Sequence, residues 1–275
     1  IGIEAFMNCT SATSLVLSTN VDYTTIAKGT FENCIALAVI NIPTNVIDIN
    51  DRAFFNCNSA KALNFAGIDN STVQCKTIGE SAFEGCANIA YINIPNTITA
   101  NGLGARAFYG ACSNSSTISN TDAQEYRIGA ITIGNKIETI YESTFEGCSR
   151  AKYVKIPASV KTIAKNAFNG CDLFVEIVYM SSKENWDTLL SNTVTADNSN
   201  TRFVSADFTD YTRKVQNAEN KAYVYFNVDK FPSYYNLSKK KADDLQVGTR
   251  DDVEYDASKR NQADFVLWFT SSKFE

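Results

Sequence analysis

The residues with the greatest chemical potential in this sequence are its eight cysteines, since the chain contains no histidine. Thiols can form disulfides, bind metal ions or act as nucleophiles. The lack of histidine excludes Ser-His-Asp and Cys-His catalysis and every zinc site that uses histidine. Seven of the cysteines close a short motif that opens with Ala-Phe or Thr-Phe. The motifs are AFMNC at 5–9, TFENC at 30–34, AFFNC at 53–57, AFEGC at 82–86, AFYGAC at 107–112, TFEGC at 144–148 and AFNGC at 167–171.

Three kinds of chemistry remain open for these cysteines. The first is a stack of buried thiols that pack as small hydrophobic groups. Disulfides between neighbouring repeats are compatible with the spacing of adjacent strands, although thiols in register point the same way. A metal site is the least favoured, because the sequence has no CxxC pair. Cys75 lies outside the motifs, in an insertion, and we expect its thiol to be accessible. We expect no catalytic residue, no cofactor and no metal ligand.

The spacing of the motifs predicts a repeat solenoid. Their phenylalanines are separated by 23 to 37 residues, and a period in this range indicates stacked supersecondary units. We predict seven repeats, mainly β with short helical or 3-10 turns, followed by a small C-terminal α+β fragment. In each repeat the Phe and the Cys should point into one continuous interior column. This predicted structural ladder comprises Phe6, Cys9, Phe31, Cys34, Phe54, Cys57, Phe83, Cys86, Phe108, Cys112, Phe145, Cys148, Phe168 and Cys171.

Each motif is followed by a short strand in which apolar and polar residues alternate, as in Leu37, Ile40 and Ile42 around Asn41. Residues of these strands that face away from the interior form a candidate binding face, which we call the outward row. Its mixture of polar and aromatic side chains suits protein recognition, although an ordinary solvated sheet face has the same pattern. The outward row comprises Val39, Asn41, Asn64, Tyr91, Asn93, Thr132, Tyr153, Lys155 and Glu176.

Composition excludes several functional classes. A hydrophobic fraction of 44% supports a folded core, and a net charge of −5 argues against non-specific nucleic-acid binding. The sequence has no apolar run long enough to span a membrane. Insertions around 66–76 and 111–127 lengthen the third and fifth repeats, and such insertions form loops on one face of a solenoid. Because the chain opens inside a repeat and stops after an apolar run, we expect it to be a fragment.

The repeat resembles the BspA-like leucine-rich repeat family, whose units run close to IGxxAFxGCxxLxxIxIPxxVxx. The stretch from Thr77 to Cys86, followed by Ala90 to Pro95, carries this pattern most clearly. The resemblance covers roughly residues 1–205. It implies a curved solenoid, and members of the family are mostly surface proteins of bacteria or protists used in adhesion. In this family the stretch after the last motif often closes the solenoid, and here Trp186 could cover the end of the column.

The segment from about residue 210 to residue 275 resembles a different family. The blocks from Tyr223 to Pro232, Asp244 to Arg250, and Lys259 to Trp268 are similar to the middle of the cysteinyl-tRNA synthetase catalytic domain. Tyr235 and Gln262 depart from its Gly and Pro. The HIGH-type and KMSKS signatures and the zinc ligands of that family do not match any stretch here, so the resemblance supplies no catalytic residue. We expect the apolar strand of this segment to be poorly packed or to dock on the repeats.

These patterns predict three regions: a repeat solenoid at 1–180, a cap and linker at 181–205, and a synthetase-like segment at 206–275. The favoured function is a non-enzymatic binding or adhesion module, at the cell surface or secreted. Its partner would be a protein or glycan on a host or neighbouring cell. The alternative is a fragment of a cytoplasmic cysteine–tRNA ligase with a repeat fusion or insertion, inactive as it stands. Only under that alternative would tRNA be a partner. A third possibility is an artefactual join.

Overall fold

The chain forms a β-solenoid of about six turns. This number agrees with the sequence, because seven successive motifs have six stretches of chain between them. The computed structural model describes residues 1–65, 73–114, 129–171, 176–181, 185, 188–189, 212–214 and 221–226. Among these, helical residues are confined to 185 and 188–189. Trp186, the expected cap, lies outside the described residues, as do most of both insertions and most of the synthetase-like segment.

Two short strands arise in most turns of the solenoid. The strands are β1 (Thr25–Ile26), β2 (Val39–Ile42), β3 (Asp48–Ile49), β4 (Ala62–Phe65), β5 (Thr77–Ile78), β6 (Ile92–Asn93), β7 (Ala130–Thr132), β8 (Thr139–Ile140), β9 (Tyr153–Ile156), β10 (Thr162–Ile163), β11 (Glu176–Tyr179), β12 (Thr212–Lys214) and β13 (Lys221–Phe226). Strands of the same kind in successive turns pair in parallel, which is how stacked repeats share one hydrogen-bond ladder.

The strands form two rows. One row carries the longer strands together with the two-residue strand β6, paired as β2-β4 and as a sheet in the order β12-β13-β11-β9-β7-β6. The second row carries the two-residue strands, paired as β1-β3-β5 and β8-β10. The break in the first row falls after β4, which ends directly before the first insertion. Every strand of the second row places an isoleucine in the interior, and that row contributes Ile26, Ile49, Ile78, Ile140 and Ile163, all at most 1% exposed.

The third element of each turn is the Phe–Cys motif, and these motifs stack into what we call the turn column. Seven phenylalanine rings lie face to face, with neighbouring centroids 5.2 to 5.8 Å apart and planes within 18° of parallel. Four of them are fully buried, namely Phe54, Phe83, Phe108 and Phe145. Burial of a phenylalanine stabilises a fold by about 2–3 kcal/mol, so the column is a major source of stability.

Backbone hydrogen bonds hold the turn column in register. The Phe31 N–H donates to the Ala53 carbonyl in the next repeat at 2.8 Å, and the Phe54 N–H donates to the Ala82 carbonyl at the same distance. Within one motif, the Cys34 N–H donates to the Phe31 carbonyl at 3.2 Å, a bond of the 3-10 type. The motif is therefore a single tight turn that satisfies its own backbone groups and those of its neighbours.

The third residue after each motif alanine or threonine adopts a left-handed backbone conformation, and the sequence meets this requirement in two ways. The first three repeats use asparagine, and the last four use glycine. The φ angles are 62°, 60° and 57° at Asn8, Asn33 and Asn56, and 75°, 64°, 72° and 74° at Gly85, Gly110, Gly147 and Gly170. Asparagine and glycine are the residues that tolerate this region best. The three asparagines also bond to one another, with amide-to-oxygen distances of 2.9 Å.

Candidate binding face

The outward row follows the longer strands, and its side chains differ in exposure along the solenoid. Val39 and Asn41 on β2 are exposed, and Val39 is 36% exposed. Asn64 on β4 and Asn93 on β6 are half-buried. The same holds for Thr132 on β7 and Lys155 on β9, whereas Glu176 is described only at its backbone. The described side chains of the outward row that reach solvent therefore lie on the stretch from β2 to β9.

Two members of the outward row form an amide pair across adjacent strands. The Asn64 Nδ2 donates to the Asn41 Oδ1 at 2.9 Å, in a register where β2 and β4 align the two residues. Such a pair orients both amides along the strand row. The remaining amide group of Asn41 faces solvent, because this side chain is exposed. Ordered amides of this kind are suited to hydrogen-bond the backbone of a polypeptide or the hydroxyls of a sugar.

The two tyrosines of the outward row do not lie in equivalent environments. Tyr91 is half-buried, whereas Tyr153 is only 8% exposed, and the Tyr153 N–H donates to the Gly129 carbonyl at 3.2 Å. On the next strand, Val178, which the register aligns with Lys155, is 5% exposed. Tyr91 is therefore the aromatic side chain of the row that a ligand can reach, and Tyr153 belongs mostly to the interior.

The cysteines of the turn column act as hydrogen-bond donors in a buried stack. The Cys57 thiol lies 3.3 Å from the Phe31 carbonyl, and the Cys86 thiol lies 3.3 Å from the Phe54 carbonyl. Each thiol thus reaches the turn of the preceding repeat. All eight cysteines are free, and burial raises the pKa of Cys34 to about 11. Because reactivity requires the thiolate, these buried thiols are structural groups.

Two cysteines do not follow the expected ladder geometry. In the lengthened motif, the Ala111 N–H donates to the Phe108 carbonyl at 3.0 Å, as the motif cysteine does elsewhere, and Ala111 is fully buried. Cys112 is displaced by one residue, adopts a φ of 51°, and places its thiol 3.8 Å from the Ala90 carbonyl. The second exception is Cys9 in the first repeat, which is exposed, whereas the other motif cysteines are buried.

The expectation that Cys75 is accessible is wrong. Its side chain is fully buried, and burial raises its pKa to about 12. The end of the insertion runs into the interior, where Val73 is also buried at 6% exposure. The alternation of apolar Val73 and Cys75 with polar Gln74 and Lys76 is the signal that could have indicated this, since alternate residues of an extended segment share one face.

Two arginines form a contact that the repeat pattern did not predict. The Arg52 Nε and Nη2 atoms lie 2.9 and 2.5 Å from the two carboxylate oxygens of Glu32, and its guanidinium lies 3.7 Å from the ring centre of Phe55. Two repeats later, Arg106 makes the same pair with Glu84 at 3.0 and 2.6 Å. Its guanidinium lies 4.0 Å from the ring centre of Tyr109.

The bidentate geometry of these pairs is strong for an ion pair near the surface. The hydrogen bonds to Glu32 and Glu84 raise the pKa of Arg52 and Arg106 respectively. The signal in the sequence is that an arginine precedes Ala-Phe in the third and fifth motifs, one repeat after a glutamate that follows Phe. We interpret these contacts as clamps between neighbouring repeats.

The described residues contain no group of three or more acidic or cysteine side chains arranged to hold a metal ion. In the part of the chain that the structure describes, no helix is both long and apolar enough to cross a membrane. The outward row presents side-chain amides, the hydroxyl of Thr132, the ring of Tyr91 and the ammonium group of Lys155 along the strands. Fold and face together define a leucine-rich repeat solenoid, a fold that supports a binding module.

Comparison with known proteins identifies the family of the repeats. The sequence model described as BspA type leucine rich repeat region matches residues 1–126 and 116–195, with six copies. The chain belongs to this family. Among solved structures, a leucine rich repeat protein from T. pallidum is 20% identical, with a TM-score of 0.48, over 63% of this chain and 70% of that one. A leucine rich cell surface protein from Faecalibacterium prausnitzii is also 20% identical, with a TM-score of 0.33, over 68% and 65%.

The C-terminal residues match a second family. The sequence model described as tRNA synthetases class I (C) catalytic domain matches residues 190–275. The cysteine–tRNA ligase of Treponema denticola is 48% identical over 52 residues, which is 19% of this chain and 10% of the ligase. The chain therefore spans about a tenth of the length of this curated relative. The division at residues 180 and 205 stays a prediction.

Proposed function

We propose that this chain is a non-enzymatic binding module that recognises a protein or glycan through the outward row. The observation that carries the proposal is the contrast within each repeat. The seven rings of the turn column stack with one geometry, whereas the outward row changes from Val39 through Tyr91 to Lys155. Parallel strands about 4.8 Å apart present such residues as an extended surface, which suits an extended ligand.

The composition of the exposed part of the row supports this proposal. It combines the ordered amides of Asn41 and Asn64 with the half-buried ring of Tyr91. Tyrosine is enriched at protein interfaces, because one side chain supplies both apolar area and a hydroxyl group. Its ring face also stacks on the apolar face of a sugar. The family of the repeats favours a location at the cell surface or outside the cell, with the ligand on a host or neighbouring cell.

The proposal is tested with the full chain, labelled and applied to cultured host-cell layers. The double variant Tyr91→Ala/Asn93→Ala removes the centre of the row. The matched control, Thr139→Ala/Thr162→Ala, changes two half-buried strand residues of the second row. We expect at least about tenfold weaker binding for the first variant, equivalent to about 1.4 kcal/mol, and wild-type binding for the control. Melting temperatures of both variants confirm that they are folded.

Pretreatment of the cells identifies the ligand class. Loss of binding after protease treatment indicates a protein, and loss after periodate oxidation indicates a glycan. Equal binding by wild type and the outward-row variant would contradict the proposal, as would the absence of wild-type binding to both cells and glycan arrays.

The second candidate is a fragment of a cysteine–tRNA ligase that carries a leucine-rich repeat fusion or insertion. The observation that favours it is the 48% identity to the Treponema denticola ligase. Because the chain matches so little of that enzyme, we expect the purified chain to show no cysteine-dependent ATP–pyrophosphate exchange. Exchange above the level of a no-cysteine control would instead support the ligase function, with tRNA as a partner.

A further inference from the structure

The last repeat strand, β11, is covered on its outer edge by a strand from the synthetase-like segment. β11 pairs in parallel with β9 on one side. On the other side it pairs with β13 in the antiparallel sense, with Glu176 opposite Phe226 and Tyr179 opposite Tyr223. β13 in turn pairs with β12, so that a hairpin completes the sheet. The apolar strand of this segment therefore docks on the last repeat strand, one of the two outcomes expected from the sequence.

This sheet crosses the boundary between two families. β11 lies within the range that matches the repeat family, whereas β12 and β13 lie within residues 190–275, which match the synthetase domain. All pairings between repeat strands are parallel, and the change to antiparallel occurs where the second family begins. A further repeat, or a strand of another chain, would need the same edge of β11 that β13 occupies.

An open strand edge at the end of a solenoid is a site for association, because its N–H and C=O groups have no partner. Solenoids therefore require terminal caps. We propose that the synthetase-like segment acts as the C-terminal cap of this solenoid, with β13 occupying the β11 edge in place of a partner strand. In this role the segment supplies a strand that pairs with β11, and this pairing needs no catalytic residue.

The direction of the backbone N–H groups alternates along β11, and this alternation shows which hydrogen bonds join β11 to β13. The Met180 N–H donates to the Ile156 carbonyl at 2.9 Å, on the β9 side. Because successive N–H groups of a strand point to opposite edges, the N–H groups of Ile177 and Tyr179 face β13. Their opposite residues in the register are Tyr225 and Tyr223. In an antiparallel ladder, residues paired in this way exchange both of their backbone bonds, so the Tyr225 N–H faces β11.

The adjacent residue supplies a matched control. The N–H of Val224 points to the other edge of β13, where β12 begins at Thr212, opposite Tyr223. Tyr225→Pro therefore removes a bond to β11, whereas Val224→Pro places the same ring one residue away and leaves the bonds to β11 intact. The missing N–H of Val224→Pro lies on the edge of β13 that pairs with β12, so the control tests whether a bond lost there, away from β11, has the same effect. Any general cost of restricting the backbone is shared by both variants.

The test is amide hydrogen exchange in the full chain, read on a peptide that covers β11. We expect Tyr225→Pro to speed exchange of the β11 amides by about tenfold, and Val224→Pro to leave it within about twofold of wild type. We also expect Tyr225→Pro to associate in light scattering at high concentration, since the β11 edge becomes available. Exchange at β11 that is unchanged in Tyr225→Pro, or raised equally by both variants, would overturn the proposal.

Discussion

The two ends of the solenoid are built from the same motif but differ in what covers them. At the N-terminal end, the first ring of the turn column, Phe6, is 44% exposed, and Val16 is 94% exposed. At the C-terminal end, Phe168 is 2% exposed, and the edge of β11 is paired. The ring spacing is nevertheless similar at both ends, 5.5 Å and 5.2 Å. The motif therefore sets the geometry of stacking, whereas the protection of an end comes from residues outside the motif.

Leu189 is a residue outside the motifs that helps to bury the C-terminal end. Leu189 lies 18 residues after the last motif cysteine, Cys171, yet it is 2% exposed and belongs to the same core cluster as the repeats. Trp186, which the sequence favoured for this role, lies outside the described residues. The C-terminal end thus gains a buried apolar side chain from beyond the last motif, and the edge of β11 is paired with β13.

The largest expected difference between the ends concerns the phenylalanines. Phe168→Ala should destabilise the chain by about 3–5 kcal/mol, because it empties a buried site between packed repeats. Phe6→Ala should cost about 1 kcal/mol, because the ring is 44% exposed and has a neighbouring ring on one side. Urea unfolding followed by circular dichroism measures both. Equal losses would show that the two ends are protected alike.

A smaller difference in stability is expected for Leu189, the buried residue beyond the last motif. Leu189→Ala should cost about 2–4 kcal/mol, since the side chain is buried among core residues. The control at the opposite end, Val16→Ala, should stay within about 0.5 kcal/mol of wild type because Val16 is exposed. The same unfolding experiment applies. A neutral Leu189→Ala variant would remove this residue from the cap.

The smallest effect concerns the two arginine clamps, which should not distinguish the ends. Arg52→Lys and Arg106→Lys keep the charge but lose the bidentate contact with glutamate and the stacking on an aromatic ring. Both side chains are 38% exposed, and we expect each change to cost about 1 kcal/mol. If Arg52→Lys cost much less than Arg106→Lys, the two clamps would not be equivalent along the solenoid.

The features that could be predicted from the sequence are those that repeat. The spacing of the phenylalanines predicted a solenoid, and the strand alternation placed Asn41 and Asn64 on one face. Where a repeat is irregular, the prediction failed or was incomplete. Cys75 is buried because the end of an insertion re-enters the interior, and Ala111 takes a cysteine position because a motif is one residue longer.

Contacts between different parts of the chain were harder still to predict. The alternating pattern of Lys221 to Phe226 indicated a strand, but pattern alone does not name its partner. Pairing with β11 depends on which edge the last repeat leaves open, and that is a property of the assembled solenoid. The arginine clamps likewise depend on residues one repeat apart, which a single repeat does not show.

Thiol labelling of the wild-type chain tests the difference between the two ends most directly, because nearly every repeat carries its own buried cysteine. A short pulse of alkylating reagent at pH 7.5, read by mass spectrometry, should modify exposed Cys9 first. Cys171, which is 1% exposed, should react far more slowly than Cys9 and as slowly as Cys86 in the middle of the column. Labelling in urea supplies the intrinsic rates. If Cys171 reacted as fast as Cys9, the last repeat would be accessible to the reagent, which would contradict a solenoid whose C-terminal end is covered.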